Sequence, residues 1–259
     1  MSAKPPADND EDSQIIYFHS LAERDKIKRE QTKAEQKASA PAHQPFLNIG
    51  NIPPFAGLVA AAFILIHAGV MLLLNDGQIL RLYYTLGFVP INYSGLGILH
   101  EQWGIAYLLS PFTYGFLHGS WMHLGFNIVM WLALGTFFEK QFGTKRAIRF
   151  FFLCALGGAA FHFVINPFSG VAVIGASASI SGAFAVTLAM LYKRGMMGPR
   201  GRYGIVPLLI LWITLMVLMG LAGGGMGENV AWIAHLGGFF TGLLYVTRKL
   251  EGHFKFWKL

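Results

Sequence analysis

Histidine and serine are rare inside long apolar segments, yet this chain places both where they can do acid–base and nucleophilic chemistry. Ser177 lies in VIGASASISGAF (173–184), His235 in NVAWIAHLGGFFTG (229–242), and His118, His123 and Asn127 in FLHGSWMHLGFN (116–127). A serine hydroxyl becomes a strong nucleophile when a neighbouring base takes its proton, and neutral imidazole is suited to that task. Histidine surrounded by lipid is costly, so each such residue is a candidate for function. Serine is the weaker signal, because a hydroxyl within a span commonly bonds the carbonyl four residues back.

The elements that must carry these residues are membrane helices. The chain has 259 residues, is 54% hydrophobic and 13% charged, and has a mean hydropathy of +0.48. That is far too apolar for a soluble domain of this length. Apolar runs near the roughly 20 residues that cross a bilayer fall at 54–75, 117–138, 149–166, 172–192, 204–222 and 229–247, which predicts an all-α integral membrane protein of six spans. Lys and Arg collect before the first span, around the second and fourth connections and in the C-terminal tail, leaving only Arg81 on the opposite side. Cytoplasmic loops accumulate these residues, so both termini are expected in the cytoplasm, as for a bacterial inner membrane protein. The same pattern explains the net charge of +7, and no nucleic-acid partner is expected.

Residues 1–50 are expected to form a polar, largely disordered cytoplasmic tail without a signal peptide, 51–250 the six-span domain, and 251–259 a second cytoplasmic tail. The loop at about 76–116, rich in aromatics and glycine, is expected to lie partly in the membrane interface. Cys154 is the single cysteine, so an intrachain disulfide or thiolate metal cluster is excluded and a buried, inert thiol is expected.

Under this orientation the second, fourth and sixth spans run inward and carry their polar residues at one end. At about 1.5 Å per helical residue, Ser177 and His235 share a depth of roughly 8–9 Å. Ser179 is turned about 200° from Ser177, and Ser181, on the same face, lies about 6 Å deeper. Both look like small packing residues. Gly175 permits a close approach beside the serine, and Gly238 and Gly242 make a G-x-x-x-G contact face on the side of His235.

His123 and Asn127 are four apart and can donate toward one point, as an oxyanion requires. His118 should point about 140° away from His123 on a continuous helix. That spacing is no metal clamp, H-E-x-x-H is absent, and no cofactor or metal is expected. Beyond the tail the carboxylates are Asp76, Glu101, Glu139, Glu228 and Glu251, with Glu139 at the cytoplasmic end of its span and the others in loops or the C-terminal tail. A Ser–His dyad without an acid is what remains.

At these residues the chain resembles the rhomboid family of intramembrane serine proteases. The resemblance covers about 54–247 and rests on H-x4-H-x3-N at His118, His123 and Asn127, G-x-S-x at Gly175–Ala178, A-H-x-x-G-x-x-x-G at Ala234–Gly242, and LGTFFEKQFG followed by RFFFLCALGG. It implies a six-helix bundle with a long interfacial loop between helices 1 and 2. Ser177 would then be the nucleophile and His235 the general base and acid. His123, Asn127 and the Ser177 N–H would hold the oxyanion, and His118 would brace the outer loop. Three positions depart from the family's pattern: Ala178 replaces the second glycine of G-x-S-G, Ser181 stands where some members stack a tyrosine on the histidine, and AYLLSP replaces a Trp-Arg dipeptide.

The expected activity is hydrolysis of a peptide bond in or near a transmembrane segment of single-span or multi-span membrane-protein substrates, within the lipid bilayer. Two other classes compete with it. A rhomboid-like pseudoprotease would bind helices without cutting, although every catalytic position is filled here. A transporter or channel would carry its polar residues near the bilayer centre rather than toward one face.

Overall fold

A computed structural model of the chain describes residues 51–95, 104–193, 206–222 and 232–250, together with Glu23, Lys26, Lys28 and Arg29, which are helical and exposed. The chain divides into a unit at Met1–Asn48 and a unit at Ile49–Leu259. Every element of the helical core lies in the second. The rest of the tail at 1–50, the tail at 251–259, and Glu101, Glu228 and Asn229 lie outside the described residues.

Among the described residues the second unit is helical apart from one isolated antiparallel bridge between Phe88 and Val173. The α-helices are α1 (Pro54–Leu73), α2 (Asp76–Leu86), α3 (Ile105–Thr113), α4 (Trp121–Phe142), α5 (Thr144–Ile165), α6 (Ser177–Lys193), α7 (Val206–Ala222) and α8 (Trp232–Leu250). Single 3-10 turns occupy Pro90–Tyr93 and Tyr114–Phe116. α1, α4 and α5 are long and apolar enough to cross a membrane, while α6 and α8 carry shorter apolar stretches at Ser177–Tyr192 and Trp232–Thr247. α7 is 17 residues without a charge.

Helix ends differ from those expected from hydropathy, because hydropathy reports compatibility with lipid whereas local backbone chemistry sets a terminus. The second span was expected to begin at 117, but the Ser120 side chain accepts from His123 N–H at 3.1 Å and starts α4 at Trp121. Gly143, at φ +82, ends α4 and starts α5 at once. A helix from 172 was expected, yet Val173 pairs with Phe88 through two backbone bonds of 2.8 and 3.0 Å, so that helix begins only at Ser177. The segment expected as one long loop instead contains α2 and α3. α2 opens with a capping box in which Asn75 and Gln78 each bond the other's backbone at 3.0 Å.

One side of the core joins α1, α4 and α5 through edge-to-face aromatic packing. Phe55 and Phe151 meet Trp131 at centroid distances of 5.9 and 5.0 Å, and the indole Nε1–H of Trp131 donates to the Ala56 carbonyl at 3.1 Å. Glu139 is buried at the same junction. Its carboxylate accepts from the N–H groups of Phe55 and Ala56 at 3.1 and 2.8 Å and from the Thr144 hydroxyl at 2.8 Å. It thereby satisfies two of the donors that the first turn of α1 leaves outside its own ladder.

Candidate active site

The backbone between 172 and 177 sets the site. After the bridge to Phe88, Gly175 N–H donates to the Tyr114 carbonyl at 2.9 Å, and the Tyr114 hydroxyl donates to the Ala155 carbonyl at 2.8 Å. Gly175 holds φ +113, a conformation that a side chain disfavours, and a Cβ there would lie 2.8 Å from His123 Nε2. The missing side chain is therefore what lets the His123 ring close on this turn.

Ser177 then opens α6. The first N–H of the ladder is that of Ile180, which bonds the Ala176 carbonyl at 3.1 Å. The N–H groups of Ser177, Ala178 and Ser179 precede it, at the positive end of the helix dipole. The sequence places Ser177 five residues into a span; the structure places it at a helix N-terminus, where oriented backbone donors come with the position.

A hydrogen bond of 2.6 Å joins Ser177 Oγ and His235 Nε2. Each residue is 7% exposed, so the pair is sheltered without being sealed. His235 Nδ1 has no hydrogen-bond partner among the described residues. With the ring proton on Nδ1, Nε2 is free to accept the serine proton.

The other two serines do different work. The Ser179 hydroxyl donates to the Phe151 carbonyl on α5 at 2.7 Å, and that of Ser181 donates to the Ser177 carbonyl four residues back at 2.7 Å. Gly238 and Gly242 meet the backbone of α6: a Cβ at either would collide with the carbonyl of Ala178 or Gly182. The complementary small face of α6, Ala178 and Gly182, also four apart, was readable by the same rule but not singled out. Tyr114 was missed too, and its ordinary setting among loop aromatics offered no signal.

His118 requires a correction. The expected 140° turn from His123 presumed a helix running through both, but α4 starts after His118. The two rings in fact sit 5.2 Å apart, and the His118 carbonyl accepts from the Tyr83 hydroxyl at 2.8 Å. Burial pushes the Tyr83 phenol up, which keeps it a donor. Asn127 is fully buried, and its Nδ2 donates to the His123 carbonyl at 2.8 Å, committing one amide proton to its own helix and leaving the second. No group of three or more His, Cys, Asp or Glu side chains among the described residues is arranged to hold a metal ion.

The rhomboid domain model matches residues 106–251, more than half of the chain. The chain belongs to the rhomboid family. It is 27% identical over 190 residues to rhomboid protease GlpG of Salmonella typhimurium, covering 73% of this chain and 61% of that protein. It is 26% identical over 140 residues to rhomboid-like protease 3 of Toxoplasma gondii, covering 52% and 51%. The match thus spans about three fifths and half of those relatives' lengths.

In this rhomboid the departures from the family pattern have local settings. The Ala178 methyl is 2.6 Å from where a Cβ on Gly158 would stand, so a glycine on α5 makes its room. Ser110, in the segment that replaces Trp-Arg, is buried in α3 and shares a 2.6 Å hydrogen bond with the Tyr93 hydroxyl. Cys154 is a free, buried cysteine.

Proposed function

We propose that this rhomboid is an intramembrane serine endopeptidase working through a Ser177–His235 dyad, a reading carried by the 2.6 Å hydrogen bond between the two side chains. His235 Nε2 takes the hydroxyl proton as Ser177 Oγ attacks the scissile carbonyl. The resulting oxyanion is held by the Ser177 N–H at the start of α6, with His123 and the second amide proton of Asn127 as side-chain donors. His235 returns the proton to the leaving amine, and water then hydrolyses the acyl-serine by the reverse proton path.

α1 and α4 to α8 supply six spans, with both termini in the cytoplasm and the site toward the outer face of a cell membrane. On this reading residues 1–50 and 251–259 are tails and 51–250 the catalytic domain. The substrates are membrane proteins. A transmembrane helix hides its peptide bonds in its own ladder, so the substrate must locally unwind to reach Ser177.

Co-expression with single-span membrane proteins tests the proposal, with cleavage termini identified by mass spectrometry and Ser177→Ala as the comparison. Cleavage that persists in Ser177→Ala, or a mechanism-based serine reagent that labels Ser179 or Ser181 in folded protein, overturns it. Binding of helices by the wild type without any cleavage or labelling would favour the pseudoprotease.

A further inference from the structure

α1 carries a histidine that the catalytic reading does not use. His67 is buried in an apolar helix, and neither of its ring nitrogens meets a hydrogen-bond partner at bonding geometry among the described residues. The same holds for His118. A buried imidazole that makes no well-formed hydrogen bond is costly, and an aliphatic side chain would fill the site at less cost. What His67 does have is a set of perpendicular ring contacts. Its ring meets Trp121 at 4.6 Å and 86°, and His118 at 6.4 Å and 90°. His118 in turn meets His123 at 5.2 Å and 72°. His123 Nε2 closes the series at Gly175: a Cβ there would stand 2.8 Å from that nitrogen and 3.8 Å from Ser177 Oγ.

The two rings touching His67 flank Ser120, the residue that caps α4 through His123 N–H. Holding both therefore fixes where α4 begins and how its first turn presents His123. We propose that His67 is a positioning residue for the oxyanion site, acting through His118 and Trp121 to set the His123 ring against Gly175. The first span then governs donor geometry in the second. This rests on the reading of His123 as an oxyanion donor.

The test is a double-mutant cycle on the full chain reconstituted with a cleavable transmembrane substrate, using His67→Leu and His123→Ala. His67→Leu is expected to lower kcat about tenfold to a hundredfold, the scale of a small misplacement of a reacting group, with KM and thermal stability little changed. In the His123→Ala background the same substitution should cost almost nothing more, since coupled residues are non-additive. His67→Phe, which keeps an aromatic ring against Trp121 and His118, should recover part of the loss, and it carries the same cycle if the leucine variant fails to fold. An unchanged kcat in His67→Leu, or an equal loss in both backgrounds, overturns the inference. A wild type that neither cleaves nor takes a serine label overturns the dyad reading instead, and a labelled, active wild type with an additive cycle sinks only the role of His67.

Discussion

At the scale of residues, three hydroxyls on one turn and a half of helix have three different fates, and substitution should separate them. Ser177→Ala should abolish both cleavage and serine labelling. Ser179→Ala removes an extra donor to the Phe151 carbonyl, which stays in the ladder of α5, and should cost about 0.5–1.5 kcal/mol of stability, the net worth of one hydrogen bond, while the surviving folded protein still cleaves. Thermal inactivation compared with kcat of the soluble fraction distinguishes the two. Asn127→Ala and His123→Ala should each lower turnover about 10²–10³-fold with little change in substrate affinity, as removal of one oxyanion donor does. Equal turnover in Asn127→Ala would remove that residue from the site. Acidification should lower turnover as His235 takes up a proton, because an imidazolium cannot accept the hydroxyl proton; a pH–rate profile without an acidic limb would contradict its role. The facing of Ser177 and His235 could be read from 100° steps along a helix. The rotation assigned to His118 could not, because the Ser120 cap ends the helix that the angle presumes.

At the scale of elements, the contact of α6 with α8 determines whether serine and histidine meet. Gly238→Ala places a methyl on the Ala178 carbonyl, a backbone atom that cannot move aside without moving the turn that carries Ser177. Overpacking of this kind costs about 1–3 kcal/mol, and it should also lengthen the 2.6 Å hydrogen bond. The expected result is a loss of kcat larger than the loss of folded protein, read by labelling rate per folded molecule. Gly69→Ala on α1 is the control: a Cβ there meets nothing within 4 Å, so stability and turnover should hold or improve slightly. A Gly238→Ala variant with normal labelling would show that the interface has slack. The G-x-x-x-G spacing identified one side of this contact, since small residues four apart share a face. The start of α6 was not legible: the two bonds between Phe88 and Val173 that keep the preceding residues extended join positions 85 apart in sequence.

At the scale of the whole molecule, Glu139 shows how an ionisable residue within an apolar chain can be structural. It ties the first turn of α1 to the α4–α5 junction, and Glu139→Gln should weaken its three hydrogen bonds, from Phe55 N–H, Ala56 N–H and the Thr144 hydroxyl, at about 1.5–3 kcal/mol each at most. Thermal inactivation should come earlier while the turnover of folded protein is retained. A stable Glu139→Gln variant without turnover would instead make the carboxylate part of the chemistry. The amino-acid sequence was sufficient for the all-helical membrane class, the rhomboid membership and the meeting of Ser177 with His235, because apolar length, helical period and motif order are properties of neighbours along the chain. The cap supplied by Glu139, the N-terminal position of Ser177, the nearness of His118 to His123 and the place of His67 required the folded chain, because each depends on atoms that are brought together only when separate helices pack.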